Sequence, residues 1–249
     1  MIEYEVYPGF RPTQKNNIFL HSCKTPHEAS VAAFLTLAPF LSRDTVLFCS
    51  RSDYLHELYE LIVEFEPMPP SAMVMFEEVL GEPFHRASYE RIYQERGFID
   101  KVGRRGIPFY RILSRSPTLR GTVRAFNSRV EELLMTYTRR HVFLELLADG
   151  GLGGIHPGYK DSYECDGDVM EEYVVGVRTP GEDGKRQVSI SFRALSYASY
   201  VWVFAFGERV EKALNSFLQN SRRPIEKFPF AFLHQLDKEV HIFTDRRIR

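Results

Sequence analysis

Four largely apolar runs constrain the fold of this chain more than any other feature. They are Thr-Val-Leu-Phe-Cys over 45–49, Met-Val-Met-Phe over 73–76, Val-Phe-Leu-Glu-Leu-Leu over 142–147 and Val-Trp-Val-Phe-Ala-Phe over 201–206. A strand with one wet face alternates apolar and polar residues, whereas a continuous apolar run needs cover on both faces, as in a parallel sheet. Amphipathic helical spacings fall between the runs: Val31, Phe34, Leu35 and Ala38; Leu55, Leu58, Tyr59 and Ile62; Val123, Phe126, Val130, Leu133 and Leu134. Thr25-Pro26-His27-Glu28 and Ser88-Tyr89-Glu90-Arg91 carry helix-start chemistry. Further strands are expected at 18–23, 109–113, 172–177, 186–191 and 239–245, with a basic turn over 97–106 and short helical pieces at 192–199 and 229–233. Strands alternating with helices imply a single α/β domain: a Rossmann-like three-layer fold with a mostly parallel sheet over 17–249. Residues 1–16, polar and proline-bearing, are expected to be a surface extension.

Composition excludes several function classes. The chain has 249 residues, and 32 basic against 33 acidic residues give a net charge of −1, which makes no electrostatic case for nucleic acid or an anionic membrane. No apolar run approaches the ~18 residues needed to span a bilayer, and the first residues lack the basic and apolar regions of a signal peptide. Three cysteines, Cys23, Cys49 and Cys165, contain no Cys-x-x-Cys pair and argue against a disulfide framework or zinc ribbon. The expectation is a cytoplasmic protein without metal or cofactor, with a homo-oligomer left open.

Three stretches carry the chemistry. After the run at 142–147 come Asp149 and four glycines (Gly150, Gly151, Gly153, Gly154), closing on His156-Pro157-Gly158. A glycine loop behind a strand lets backbone N–H groups approach a ligand, and also reads as a plain surface loop. The run at 73–76 ends on Glu77-Glu78, two carboxylates suited to acid–base work. The run at 45–49 ends on Ser50-Arg51-Ser52-Asp53. All three turns belong at the carboxyl edge of the sheet, where open α/β folds bind ligands. Residues 159–168, acidic and irregular, are a candidate lid or rim.

In this order the motifs resemble the glucosamine-6-phosphate deaminase/isomerase and 6-phosphogluconolactonase family. Phe76-Glu-Glu-Val-Leu-Gly81 with His85-Arg-Ala-Ser88-Tyr89 is similar to that family's Asp-Glu-Tyr-Val-Gly…His-Pro-x-Ser-Tyr stretch. Asp149-Gly-Gly-Leu-Gly-Gly-Ile-His-Pro-Gly158 is similar to its Asp-Gly-His…Pro-Gly loop. The resemblance covers about 17–245 and implies the family's fold and a sugar-phosphate ligand. It implies Glu77 and Asp149 as catalytic residues, to which His156 is added as the loop's remaining imidazole, and Ser50, Arg51, Ser52, Glu78, His85, Gly150, Gly151 and Lys212 as candidate substrate-binding ones. The departures are pronounced. Gly151 stands where the family has a histidine, Glu77 replaces an aspartate, and the phosphate loop has become Ser50-Arg51-Ser52-Asp53, without glycine. Val210 takes the place of a phosphate-binding lysine, with Lys212 two residues on. The readings are therefore a divergent isomerase/deaminase or lactonase, in which His156 replaces the lost imidazole from the other end of the loop, or an inactive sugar-phosphate sensor or partner subunit. Little or no turnover of glucosamine 6-phosphate or 6-phosphogluconolactone is expected.

Overall fold

A computed structural model describes residues 12–65, 68–115, 117–162, 168–178 and 184–246. The described residues open on an exposed strand, β1 (Thr13–Lys15), within the expected surface extension, and then β2 (Ile18–Ser22). Helix α1 (Pro26–Leu37) starts as its sequence dictates: Thr25 Oγ1 accepts from the Glu28 amide at 3.1 Å and Pro26 holds the first helical position. β3 (Thr45–Cys49), α2 (His56–Glu64) and β4 (Ala72–Met75) follow, and then the short β5 (Glu77–Val79). Next come α3 (Tyr89–Glu95), α4 (Phe98–Arg104), β6 (Phe109–Tyr110), α5 (Leu119–Thr136) and β7 (Arg139–Glu145). The last third contains β8 (Val174–Arg178), β9 (Arg186–Ile190), α6 (Phe192–Ser196), β10 (Tyr200–Ala205), α7 (Glu208–Gln219) and β11 (Glu239–Thr244).

Eight strands form one sheet in the order β1-β2-β11-β10-β7-β3-β4-β6, and every pairing except β1 with β2 is parallel. The four apolar runs become β3, β4, β7 and β10, each with a neighbour on both sides. Their side chains are almost all buried, because apolar groups on both faces leave water only under cover of the flanking helices. One apolar cluster, from Ile18 to Phe243, runs through the described residues.

The strand order has a switch point. From β3 the chain moves outward through β4 to β6, then returns to the other side of β3 as β7 and continues to β10 and β11. Crevices form at the carboxyl ends of strands where the order reverses. Register brings three turns to that place: Cys49 lies level with Met75 and with Phe143. The residues just beyond, Ser50-Arg51, Phe76-Glu77 and Leu144-Glu145, therefore emerge together.

Two expectations are corrected. The stretch 97–106 is largely a helix, α4: Gly97, at φ 71°, ends α3 in the left-handed region and lets the chain restart at once. The run at 73–76 does not simply end on its carboxylates. Glu77 and Glu78 belong to β5, which leaves the main sheet and pairs antiparallel with β9, and β9 pairs with β8. This three-stranded sheet stands over the crevice. The hairpin turn expected between β8 and β9 falls partly on 179–183, and the candidate lid partly on 163–167, both outside the described residues. Among the described residues no helix is long and apolar enough to cross a membrane.

Candidate active site

At the switch point lies a cavity of about 480 Å³, lined by Ser50, Arg51, Glu77, Tyr89, Glu145, Leu147, Asp149, Gly153, His156 and Gln187. Its floor is the end of β3. Ser50 Oγ donates to Glu77 Oε1 at 2.7 Å and the Arg51 amide to the same oxygen at 2.9 Å, so one Glu77 oxygen is doubly held. The other, Oε2, is buried with no hydrogen-bond partner. Burial pushes the Glu77 carboxyl up to about 7 against those two hydrogen bonds, and the neighbouring Glu78 and Glu145 charges add to the rise. A carboxyl with that pKa exchanges its proton near neutrality, as acid–base catalysis requires.

The opposite wall is the loop after β7. Asp149 Oδ1 accepts from the Gly151 amide at 2.8 Å, and Oδ2 lies 2.9 Å from His156 Nδ1. Burial raises the Asp149 carboxyl, but the hydrogen bonds from His156 and Gly151 outweigh it and leave the pKa below its ordinary value. An ionised carboxylate only accepts, so Nδ1 carries the proton and Nε2 is the basic nitrogen of His156. A Cβ placed on Gly151 would lie 3.2 Å from His156 Nδ1 and 3.0 Å from Asp149 Oδ1. The His156 imidazole thus stands beside the point from which a side chain at 151 would start.

The loop glycines serve packing rather than an open amide cradle. Gly153 turns at φ 55°, and a Cβ there would lie 2.5 Å from the Phe76 ring. A Cβ on Gly154 would lie 2.9 Å from Ser189 Cβ on β9. The loop amides mostly bond inside the protein: Gly150 to Leu147 O, Gly151 to Asp149, Leu152 to Ile155 O, Gly154 to Ser189 Oγ and Ile155 to Leu152 O. The expectation of N–H groups turned to a ligand is corrected at these positions.

Of the other expected residues, Ser50 and Arg51 line the cavity. Ser52 is buried beneath it and hydrogen-bonds Glu145. Glu78 lies outside: its carboxylate accepts from the Val79, Tyr89 and Glu90 amides and from Ser88 Oγ, at 2.7–2.9 Å, and so holds the start of α3. His85 braces the preceding turn, with Nε2 3.0 Å from Val79 O. Gly150, at φ 82°, packs on Phe228. Lys212 sits on α7 in a separate shallow groove with Glu208, Glu211 and Asn215. Among the described residues no group of three or more His, Cys, Asp or Glu is placed to share a metal ion.

Four lining residues were not foreseen as ligand contacts: Tyr89, Glu145, Leu147 and Gln187. Tyr89 hides in the helix start at Ser88; burial pushes its phenol up to about 12, so the hydroxyl stays protonated, and it accepts from Gln187 Nε2 at 3.1 Å. Glu145 is a lone acid inside an apolar run, which was the available signal. Burial raises its carboxyl, against the Ser52 hydrogen bond.

No family model matches the sequence, and no curated protein sequence matches it. Solved structures do share its fold. A 6-phosphogluconolactonase from Plasmodium vivax superposes with a TM-score of 0.74 at 14% identity, over 94% of this chain and 91% of that one. The 6-phosphogluconolactonase from Trypanosoma brucei gives 0.70 at 16% identity, over 94% and 97%. A monomeric glucosamine-6-phosphate deaminase gives 0.69 at 18% identity, over 90% and 96%. The fold is that of the family the motifs resemble.

Proposed function

We propose that this chain is an enzyme of carbohydrate metabolism that hydrolyses the lactone of a sugar acid, with His156 as general base. One observation carries the reading: an Asp149–His156 pair at 2.9 Å on one wall of a cavity that Glu77 lines from another side. Structural neighbours that include 6-phosphogluconolactonases support the substrate class. Asp149 fixes the tautomer and orientation of the ring, as an orienting carboxylate does in hydrolytic triads. Nε2 takes a proton from water as its oxygen attacks the lactone carbonyl. The tetrahedral oxyanion finds the Arg51 guanidinium or the Tyr89 hydroxyl as a donor. The ring C–O bond then breaks, and the leaving oxygen takes the proton back from Nε2. Each group sits on a strand end, a helix start or a tightly packed loop, which favours catalysis by positioning.

A second reading, an aldose–ketose isomerase, draws on Glu77, whose carboxyl near pH 7 suits proton transfer next to a carbonyl. An inactive sensor would keep the cavity without turnover. A pH-stat assay of the wild-type protein on δ-lactones of sugar acids separates the three. The expected result is hydrolysis at an ordinary enzymatic rate, roughly 1–10³ s⁻¹. Isomerisation without hydrolysis would favour the Glu77 reading, and binding without either would leave a sensor.

A further inference from the structure

The cavity is unfavourable to a phosphate group. Among the described residues three acidic side chains line it, those of Glu77, Glu145 and Asp149, against one permanent cation, Arg51, and the His156 imidazole. Arg51 is itself shared: its guanidinium is 3.5 Å from Asp53 Oδ1 and lies over the Tyr89 ring at 5.9 Å. Asp53 also holds Arg96 at 2.5 Å, which ties that cation down outside the lining. The loop amides named above point inward to protein acceptors, so the backbone cradle that usually receives phosphate is absent there. Lys212 stands in another groove.

What the cavity offers is mainly acceptors. Glu77 Oε2 and Gln187 Oε1 are buried and unpartnered, on residues only 5% and 6% exposed, and both residues line the space; among the described lining residues Arg51 Nε is a buried unpartnered donor beside them. Buried polar atoms without partners are uncommon in folded proteins, and where they face a cavity a ligand can complete their bonding. Turning the Gln187 amide over would let Tyr89 donate to it, but the Glu77 oxygen stays unpartnered either way. Glu145 adds a third acceptor at the end of β7.

We infer that the cavity takes an uncharged, hydroxyl-rich sugar lactone that carries no phosphate, its hydroxyl groups donating to Glu77, Glu145 and Gln187. This rests on the cavity being the site of the acid–base chemistry proposed above, but it concerns recognition rather than turnover. A phosphate dianion would meet net negative charge at close range in a partly desolvated space, where such repulsion is poorly screened. Hydroxyl donors would satisfy the orphaned acceptors.

The test reads binding, so it stands or falls separately from hydrolysis. Dissociation constants are measured calorimetrically at pH 7 for glucose against glucose 6-phosphate and for gluconate against 6-phosphogluconate, with inorganic phosphate as competitor. The unphosphorylated member of each pair is expected to bind at least ~10-fold more tightly, a margin of about 1.4 kcal/mol. The margin should shrink in Glu145→Gln. Tighter binding of either 6-phosphate, competition by inorganic phosphate, or no binding of glucose and gluconate at millimolar concentration would overturn the inference. Binding with this preference but no lactone hydrolysis would retain it and reject the hydrolase reading.

Discussion

Glu77 shows how much of the chemistry rests on single side chains and where they are buried. Its carboxyl titrates at about 7 in the folded chain against an ordinary 4.5, so between those values the native state binds more protons than the unfolded chain. Its contribution to stability is complete below pH 4.5 and is lost as pH rises through 7. Glu77→Gln keeps an acceptor for Ser50 and Arg51 but cannot ionise. Its melting temperature should therefore rise relative to wild type as pH goes from 5 to 8, by the equivalent of roughly 1–3 kcal/mol. Thermal melts across that range check this; a difference independent of pH would mean that Glu77 ionises normally. The same residue marks a boundary of sequence reading. That Glu77 and Glu78 end an apolar run is plain in the chain, but nothing in the chain says that they diverge. One faces the cavity and the other is consumed in holding α3, because strand alternation sends adjacent side chains to opposite faces.

At the scale of elements, the glycine loop is shaped by what it packs against. Gly153 combines a positive φ with a Phe76 ring 2.5 Å from where a Cβ would sit, and Phe76 is a fully buried residue between β4 and β5. Gly153→Ala should cost about 1–3 kcal/mol, from overpacking and backbone strain together. Gly158→Ala, at φ 77° but with open space around it, should cost less. Chemical denaturation of the two variants checks the order, and equal losses would show that packing against Phe76 is not the constraint. Helices α1 and α3 were legible from Thr25 and Ser88, because capping is local chemistry. α4 was not, since its flanking glycines and basic residues also compose a turn. Glu145 and Gln187 could not be assigned either: their approach to Glu77 follows from register across β3, β7 and β9, which the chain encodes only through its tertiary packing.

The whole molecule carries a row of histidines across its sheet. His21 on β2 lies 3.0 Å from His241 on β11, and Trp202 on β10 donates to His141 on β7 at 3.1 Å. Burial drives both His21 and His141 down to about 3, with His241 adding to the fall in His21 and Arg139 and His241 to that in His141. Below pH 6.5 the unfolded chain takes up protons that the native histidines refuse. Their contribution is thus complete above 6.5 and is lost as pH falls toward 3, at up to about 1.4 kcal/mol per unit for each histidine. The Glu77, Glu78 and Glu145 carboxyls, all raised by burial, work in the opposite direction over part of this range, while His56 and His234, which burial also lowers, add to the loss. Urea denaturation at pH 7 and pH 5 should therefore show a clear loss of stability on acidification; unchanged midpoints would mean that the row accepts protons when folded. The four central strands and the parallel sheet were readable from apolar runs alone, since burial on both faces leaves a direct mark on composition. The row of histidines left no such mark, because a histidine in an apolar run reads equally as core or as ligand.

In the proposed mechanism His156, oriented by Asp149, supplies the imidazole that Gly151 lacks. The most direct measurement is kcat/KM for lactone hydrolysis by wild type and by His156→Ala, with Asp149→Asn and Gly151→Ala as companions and circular dichroism to confirm folding. His156→Ala should lose about 10²–10⁴-fold and Asp149→Asn should also lose activity, with a smaller change for Gly151→Ala. Hydrolysis by a folded His156→Ala protein at the wild-type rate would contradict it.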